Sequence, residues 1–240
     1  MKIQDPLTES PHSSLATRVV ALNKTIQSIC RESNRDPSSL KILAVSKTKS
    51  IQEIESAYHC GLRYFAENYA QELEHKQRDL KNLPDIQWSF IGKIQSNKIK
   101  SIAMSAHEIQ SICELRHAKA LQSIVSTQSD KKYPIWILTN PENEPSKSGV
   151  RLEETPVFAA QIKEHCPNLS IQGLMCIPSP SYHDEAFPDG PPQLYIRLRE
   201  VSRSIGSGLL SLGMSSDIKI AIQAGTDIIR IGSTIFGPRT

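Results

Sequence analysis

The 240-residue chain is 38% hydrophobic and 22% charged, enough to bury a sizeable core and the length of one α/β barrel or two small domains. A net charge of +3, with Lys and Arg scattered along the chain, gives no argument for nucleic acid, and five cysteines without Cys-x-x-Cys spacing and seven histidines without a His-x-x-x-His pair exclude a local metal motif. No run of about 18 apolar residues exists, and Met1–Pro11 lacks a signal peptide's apolar centre, so the sequence reads as a soluble cytoplasmic protein with no membrane span.

Residues 1–11, polar with two prolines, are expected to be flexible. Leu15, Val19, Leu22, Ile26 and Ile29 recur in steps of three and four, predicting an amphipathic helix over 12–33, capped by Ser13 or Ser14 and broken by Arg35-Asp36-Pro37-Ser38-Ser39. The chain then alternates. Strand 41–46 is followed by helix 51–59, strand 62–66 by helix 68–80, strand 86–91 by helix 96–104, and strand 108–112 by helix 114–127. Strand 134–138 precedes helix 153–165. Strand 170–176 leads into a proline-rich loop, 177–192, that should be irregular and exposed, and then into helix 193–205. Strand 209–212 precedes helix 215–224, and strand 227–231 is the eighth. Eight strands alternating with helices argue for a single (β/α)8 barrel, one domain over 1–240, with an open doubly wound sheet as the runner-up. Little chain follows the last strand, so the N-terminal helix is expected to cover the gap left by a missing final helix.

In a barrel, the residues at the C-terminal strand ends share one face, where ligands bind. Those ends carry Lys47, Glu67-Asn68, Gly92, Asn140, Met175, Ser211 to Ser215 and Arg230 to Thr234. Lys47 follows the apolar run Ile42–Val45, and Ser50 with Glu53 three residues on reads as a capping box that opens the next helix. A lysine so placed is either a surface cation or an amine held in a pocket to form an imine. Ser211-Leu212-Gly213-Met214-Ser215-Ser216 and Arg230-Ile231-Gly232-Ser233-Thr234 leave strands seven and eight, where barrels often bind phosphate: glycine admits close backbone approach, and hydroxyls and helix-start amides donate. Each segment also has an ordinary reading, with Gly213 and Gly232 in turns and Ser215 or Ser216 as a helix cap.

An amine opposite a phosphate cradle points to pyridoxal 5′-phosphate, its aldehyde joined to Lys47 as an imine. Arg230 then becomes the partner of the pyridine nitrogen, a cation that disfavours protonation there and weakens the ring as an electron sink. The competing reading of Arg230 is a salt bridge in the barrel mouth to Asp227 or Glu67. Cys176 reads as a small core residue, and Tyr64 and Tyr69 as packing or rim groups rather than acid/base groups. The basic stretch Gln95–Lys100 with Lys147 reads as a solvated face, or as a surface that admits incoming cofactor.

Ala44-Val45-Ser46-Lys47-Thr48-Lys49, Phe65-Ala66-Glu67-Asn68-Tyr69, Trp88-Ser89-Phe90-Ile91-Gly92, Gln95-Ser96-Asn97-Lys98, Ser146-Lys147-Ser148-Gly149, Gly173-Leu174-Met175, Ser211-Leu212-Gly213-Met214-Ser215 and Arg230-Ile231-Gly232 together resemble the pyridoxal phosphate homeostasis proteins, the YggS/PROSC family. The resemblance runs from about residue 12 to the C-terminus, with the motifs in the family's order. It implies a barrel like the N-terminal domain of alanine racemase and pyridoxal phosphate on Lys47. It also implies Arg230 facing the ring nitrogen, Ser211, Ser215, Gly232 and Ser233 near the phosphate, Asn68 lining the pocket, Met175 beside the cofactor, and Lys147 as a secondary contact. Ala66, Ser89 and Ser233 stand where the family usually has Gly, His and Thr, which removes any role assigned to a histidine at position 89.

The resemblance implies a carrier or buffer of the cofactor, acting in vitamin B6 and amino-acid homeostasis without turnover and handing cofactor to apo-enzymes. The alternative is a pyridoxal phosphate-dependent amino-acid racemase, which needs two acid/base groups on opposite faces of the cofactor. In alanine racemase the second is a tyrosine supplied across a dimer by a two-domain chain, and no room is expected for such a domain here. The same reasoning predicts a partly exposed pocket and a monomer. A phosphosugar enzyme would need a carboxylate or metal constellation that Glu67 alone hardly supplies.

Overall fold

The computed structural model describes residues 14–127 and 131–238; the flexibility expected of residues 1–11 lies outside them. Eight parallel strands close into a barrel in sequential order, β1 (Lys41–Val45), β2 (Tyr64–Glu67), β3 (Gln87–Phe90), β4 (Glu108–Ile112), β5 (Tyr133–Thr139), β6 (Leu169–Cys176), β7 (Leu209–Ser211) and β8 (Ile228–Ile231). The seam pairs Lys41 with Ile228 and Leu43 with Arg230. The doubly wound alternative is thereby set aside.

Helices α1 (Leu15–Glu32), α2 (Ile51–His59), α3 (Ala70–Asp79), α4 (Ile99–Ser105), α5 (Leu115–Val125), α6 (Thr155–His165), α7 (Gln193–Arg203) and α8 (Ile218–Gln223) surround the barrel. The one-turn α9 (Ser233–Phe236) stands where a final barrel helix would be. Strand periodicity sorts the apolar residues into two cores. Ala44, Phe65, Ile229 and Ile231 face outward into the large helix–sheet cluster, while Leu43, Ala66, Trp136, Leu138, Met175 and Ile228 fill the barrel. The Ser50/Glu53 capping box forms as the sequence predicts, and Ser14 caps α1 by accepting from Thr17 N.

α1 packs beside α8 and α9, covering the thin part of the outer ring. Arg18 Nε donates to Ile235 O (2.8 Å), and Arg35 Nη1 donates to Ile222 O (3.0 Å) and Thr226 O (2.8 Å), so the chain's first helix is tied to its last elements. The proline-rich loop is irregular but not wholly exposed. Tyr182 and Phe187 stack at 5.7 Å and pack on the core, and Asp184 accepts from Lys219 N and Ile220 N at the start of α8. That carboxylate does the capping that the sequence assigns to Ser215 or Ser216, which lie in the preceding turn.

Candidate functional site

A cavity of about 370 Å³ opens at the C-terminal mouth of the barrel, a size usual for small-molecule sites. Val45, Lys47, Lys49, Asn68, Ile91, Ile177, Met214, Ser215, Ser216, Arg230, Gly232, Ser233 and Gly237 line it. Six of the eight residues expected at a cofactor site thus meet there: Lys47, Asn68, Ser215, Arg230, Gly232 and Ser233. Met175 and Ser211 stand apart, both fully buried: Met175 belongs to the apolar barrel interior and Ser211 lies beneath Arg230.

Lys47 sits in a turn that its neighbours over-determine. Lys49 N donates to Ser46 O (3.0 Å), and Thr48 holds φ at +64°, uncommon for a non-glycine residue, with its N–H on Glu72 Oε1 (2.9 Å). Beneath the turn, the buried Lys76 Nζ reaches Ser46 O (2.7 Å) and Glu67 Oε1 (2.8 Å), and Ser46 Oγ donates to the same oxygen (2.6 Å). Burial pushes the Glu67 carboxyl up to about 7, with Lys76 and Ser46 pulling against it. Lys49 is engaged with Glu53 (3.2 Å) and Phe236 O (3.4 Å).

On the neighbouring strand, β2 leads into Asn68. A Cβ added to Gly92 would stand 1.8 Å from Asn68 O, so only glycine lets the two strand ends approach this closely. Asn68 Oδ1 is buried with no hydrogen-bond partner among the described residues, an acceptor left for a ligand. A recess of about 650 Å³ shares Asn68 and is lined by Lys93, Gln95 and Lys98, the basic stretch seen in the sequence. Lys147 bonds to Glu144 (2.6 Å) and Ile177 O (3.4 Å), one residue from the lining.

The β7 and β8 segments are joined by hydroxyls, Thr234 Oγ1 to Ser215 Oγ at 2.8 Å. Gly213 takes φ +103°, its carbonyl receives Arg230 N (2.9 Å), and a Cβ there would stand 2.7 Å from Ala221 Cβ. Buried Asp217 fixes the turn by accepting from Met214 N (2.7 Å) and Tyr195 Oη (2.6 Å); burial raises its carboxyl above the usual range. Arg230 is 4% exposed. Its Nη1 donates to Ser211 Oγ (2.9 Å) and its Nη2 to Cys176 O (2.6 Å). Neither expected salt-bridge partner reaches it: Asp227 pairs with Arg199 (2.5 Å) and Glu67 with Lys76 (2.8 Å). Among the described residues no carboxylate stands at ion-pair distance, and burial lowers the guanidinium's proton affinity. An unpaired buried cation is costly unless something anionic or electron-rich meets it. Cys176 is a core residue, its thiol pushed up to about 12 by burial, and Tyr64 and Tyr69 lie outside the cavity lining.

Sequence reasoning missed Val45, Ile91 and Ile177 in the lining. These apolar walls carry no chemical signature apart from their place at strand ends.

Residues 20–240 match the family described as the alanine racemase N-terminal domain, and a pyridoxal phosphate homeostasis protein of Pseudomonas aeruginosa is 38% identical over 232 residues, covering 95% of this chain and 96% of that protein. The chain belongs to the pyridoxal phosphate homeostasis proteins. The homeostasis protein of Escherichia coli K12 is 35% identical over 244 residues, covering 95% of this chain and 97% of its own. Among solved structures, PipY of Synechococcus elongatus with pyridoxal phosphate bound superposes with a TM-score of 0.77 at 26% identity, covering 93% of this chain and all of that one. The barrel described above is therefore the homeostasis-protein barrel, of the alanine racemase N-terminal type.

Proposed function

We propose that this protein binds pyridoxal 5′-phosphate at the cavity, attached through the Lys47 amine, and carries or buffers it in vitamin B6 and amino-acid homeostasis. One observation carries the reading: a lysine amine and a buried guanidinium without a carboxylate partner line the same cavity as the serine hydroxyls of two adjoining loops. The donor set fits the group, with an amine for an aldehyde, hydroxyls for a phosphate, a guanidinium for a ring nitrogen and the Asn68 acceptor for a ring substituent. When bound, the cofactor supplies an aldehyde that condenses with a primary amine and releases water. The chain's own part is positional. The Lys76–Glu67–Ser46 cluster holds the Lys47 turn, Asp184 and Asp217 hold the hydroxyl-bearing turn, and Arg230 keeps a cation at the ring end.

The non-catalytic part of the reading draws on the lining and on the relatives' names. Among the described lining residues the titratable side chains are Lys47, Lys49 and Arg230, with no tyrosine, histidine or carboxylate to return a proton from the opposite face. Apo-enzymes that need the cofactor are the proposed recipients, and a cytoplasmic monomer is the form in which the protein acts. Among the described residues no helix is long and apolar enough to cross a membrane.

The test is the near-ultraviolet and visible spectrum with added pyridoxal phosphate, beside Lys47→Ala. A band of lysine-bound cofactor, absent in the variant, is expected; no band with excess cofactor would overturn the reading. Alanine racemisation that Lys47→Ala abolishes would replace the carrier with the racemase. Transfer to an apo-transaminase no faster than release into buffer would remove the handover.

A further inference from the structure

We infer that Gln110 is a positioning residue that sets the direction of a hydrogen-bond column through the barrel and thereby fixes Arg230 at the cavity. The inference rests on the cofactor reading above for its consequence, but its geometry stands alone. Gln110 and Ser211 are wholly buried, on β4 and β7. Gln110 Nε2 donates to Glu108 Oε1 (2.7 Å), Ser211 Oγ donates to Gln110 Oε1 (2.8 Å), and Arg230 Nη1 donates to Ser211 Oγ (2.9 Å). Glu108 lies at the start of β4 and Arg230 near the end of β8, so the column runs from one barrel mouth to the other.

Its direction is forced. The Arg230 guanidinium at one end can only donate, and Glu108 at the other already receives Ser89 Oγ (2.7 Å) and Trp136 Nε1 (2.8 Å). The Gln110 amide must therefore turn its NH₂ toward Glu108 and its oxygen toward Ser211. A hydroxyl has one proton; Ser211 spends it on Gln110 and is left with lone pairs for Arg230. Arg230 then holds two fixed bonds, to Ser211 and to Cys176 O, with its remaining N–H donors uncommitted in this network. Polarised bonds lead its charge toward a carboxylate at the far mouth. No carboxylate needs to sit beside the guanidinium and compete with a ligand for it.

The experiment compares wild type with Gln110→Leu and Ser211→Ala, using Ser202→Ala as a control. Ser202 is also buried, but its hydroxyl donates to Arg199 O (2.8 Å), outside the column. The first readout is the Arg230 side-chain ¹⁵N–¹H resonance of the apo-protein, which needs no cofactor. Gln110→Leu and Ser211→Ala should shift or broaden it. Ser202→Ala should preserve it. The second readout is cofactor affinity and the pH midpoint of the bound spectrum: about a tenfold weaker Kd and a displaced midpoint for Gln110→Leu, with both unchanged in Ser202→Ala. An unchanged Arg230 resonance in Ser211→Ala or Gln110→Leu, or equal spectral midpoints, would overturn the inference. Absence of a cofactor spectrum in wild type would instead sink the cofactor reading and leave the resonance to judge the column. Should Gln110→Leu fail to fold, Ser211→Ala, which deletes one oxygen, decides.

Discussion

Glu67 shows how a single residue couples stability to the turn that carries Lys47. Its carboxyl lies at about 7 in the fold against an ordinary value near 4.5, chiefly through burial. The fold therefore binds a proton that the unfolded chain has lost. That stabilisation is complete below the ordinary carboxylate range and disappears as pH rises through about 7. Melting curves from about pH 5 to about pH 8 should show the wild-type midpoint falling by several degrees relative to Glu67→Gln, which cannot ionise. Parallel midpoints would show that Lys76 fully compensates the charge. Arg230 was legible in the sequence because it sits near the end of an apolar strand, and Lys47 because it follows one directly and precedes a capping box. Lys76 was not. It lies within a polar helix, and what buries it is Ser46 and Glu67, brought from two strands that local pattern cannot relate to it. Gln110 was hidden for a similar reason: Glu108, Gln110 and Ser111 weaken β4 as a strand signal, and the Ser211 that Gln110 meets comes from β7.

Among elements, the proline-rich loop departs furthest from its sequence reading. Five prolines predict an exposed excursion, and the backbone is indeed irregular, but a 3₁₀ turn at Asp184–Ala186 docks on α8. Asp184 N also donates to Ser216 O (2.9 Å), so the loop grips the hydroxyl-bearing turn and the helix behind it together. Capping carboxylates are worth about 0.5–2 kcal/mol. Asp184→Ala should cost about 1 kcal/mol, lower the melting midpoint by about 2–4 °C and weaken cofactor retention, whereas Asp184→Asn should retain most of both. Retention unchanged in the alanine variant would mean that the turn keeps its shape without the loop. A cap supplied by a residue 35 positions away leaves no local trace. The Ser50–Glu53 box, closed within one helical turn, was legible in full.

At the scale of the molecule, the alternation of strands and helices was enough to give the barrel, because each buried parallel strand is an apolar run followed by a helical period. Strand bounds shifted by a residue or two, as at β2 and β7. The role of α1 depends on what it touches. Arg18 ties it to the α9 carbonyl of Ile235, and Arg35, just past its end, binds the carbonyls of Ile222 in α8 and of Thr226, where among the described residues one helical turn follows β8. Removing residues 1–33 should therefore lower the midpoint and broaden the unfolding transition of the whole barrel, and Arg35→Ala should give a smaller shift in the same direction. A truncated protein that unfolds cooperatively at the wild-type midpoint would show α1 to be dispensable. The seam between β1 and β8 also orders events during synthesis. Lys47 leaves the ribosome early, but the turn at Met214–Ser216, Arg230 and Ser233 emerge near the end, and β1 finds its second neighbour only with Ile228. A nascent chain stalled before β8 carries Lys47 but lacks Arg230, Gly232 and Ser233, which complete the cavity wall. The cavity is thus among the last features of the molecule to be completed, when β8 closes the ring against β1.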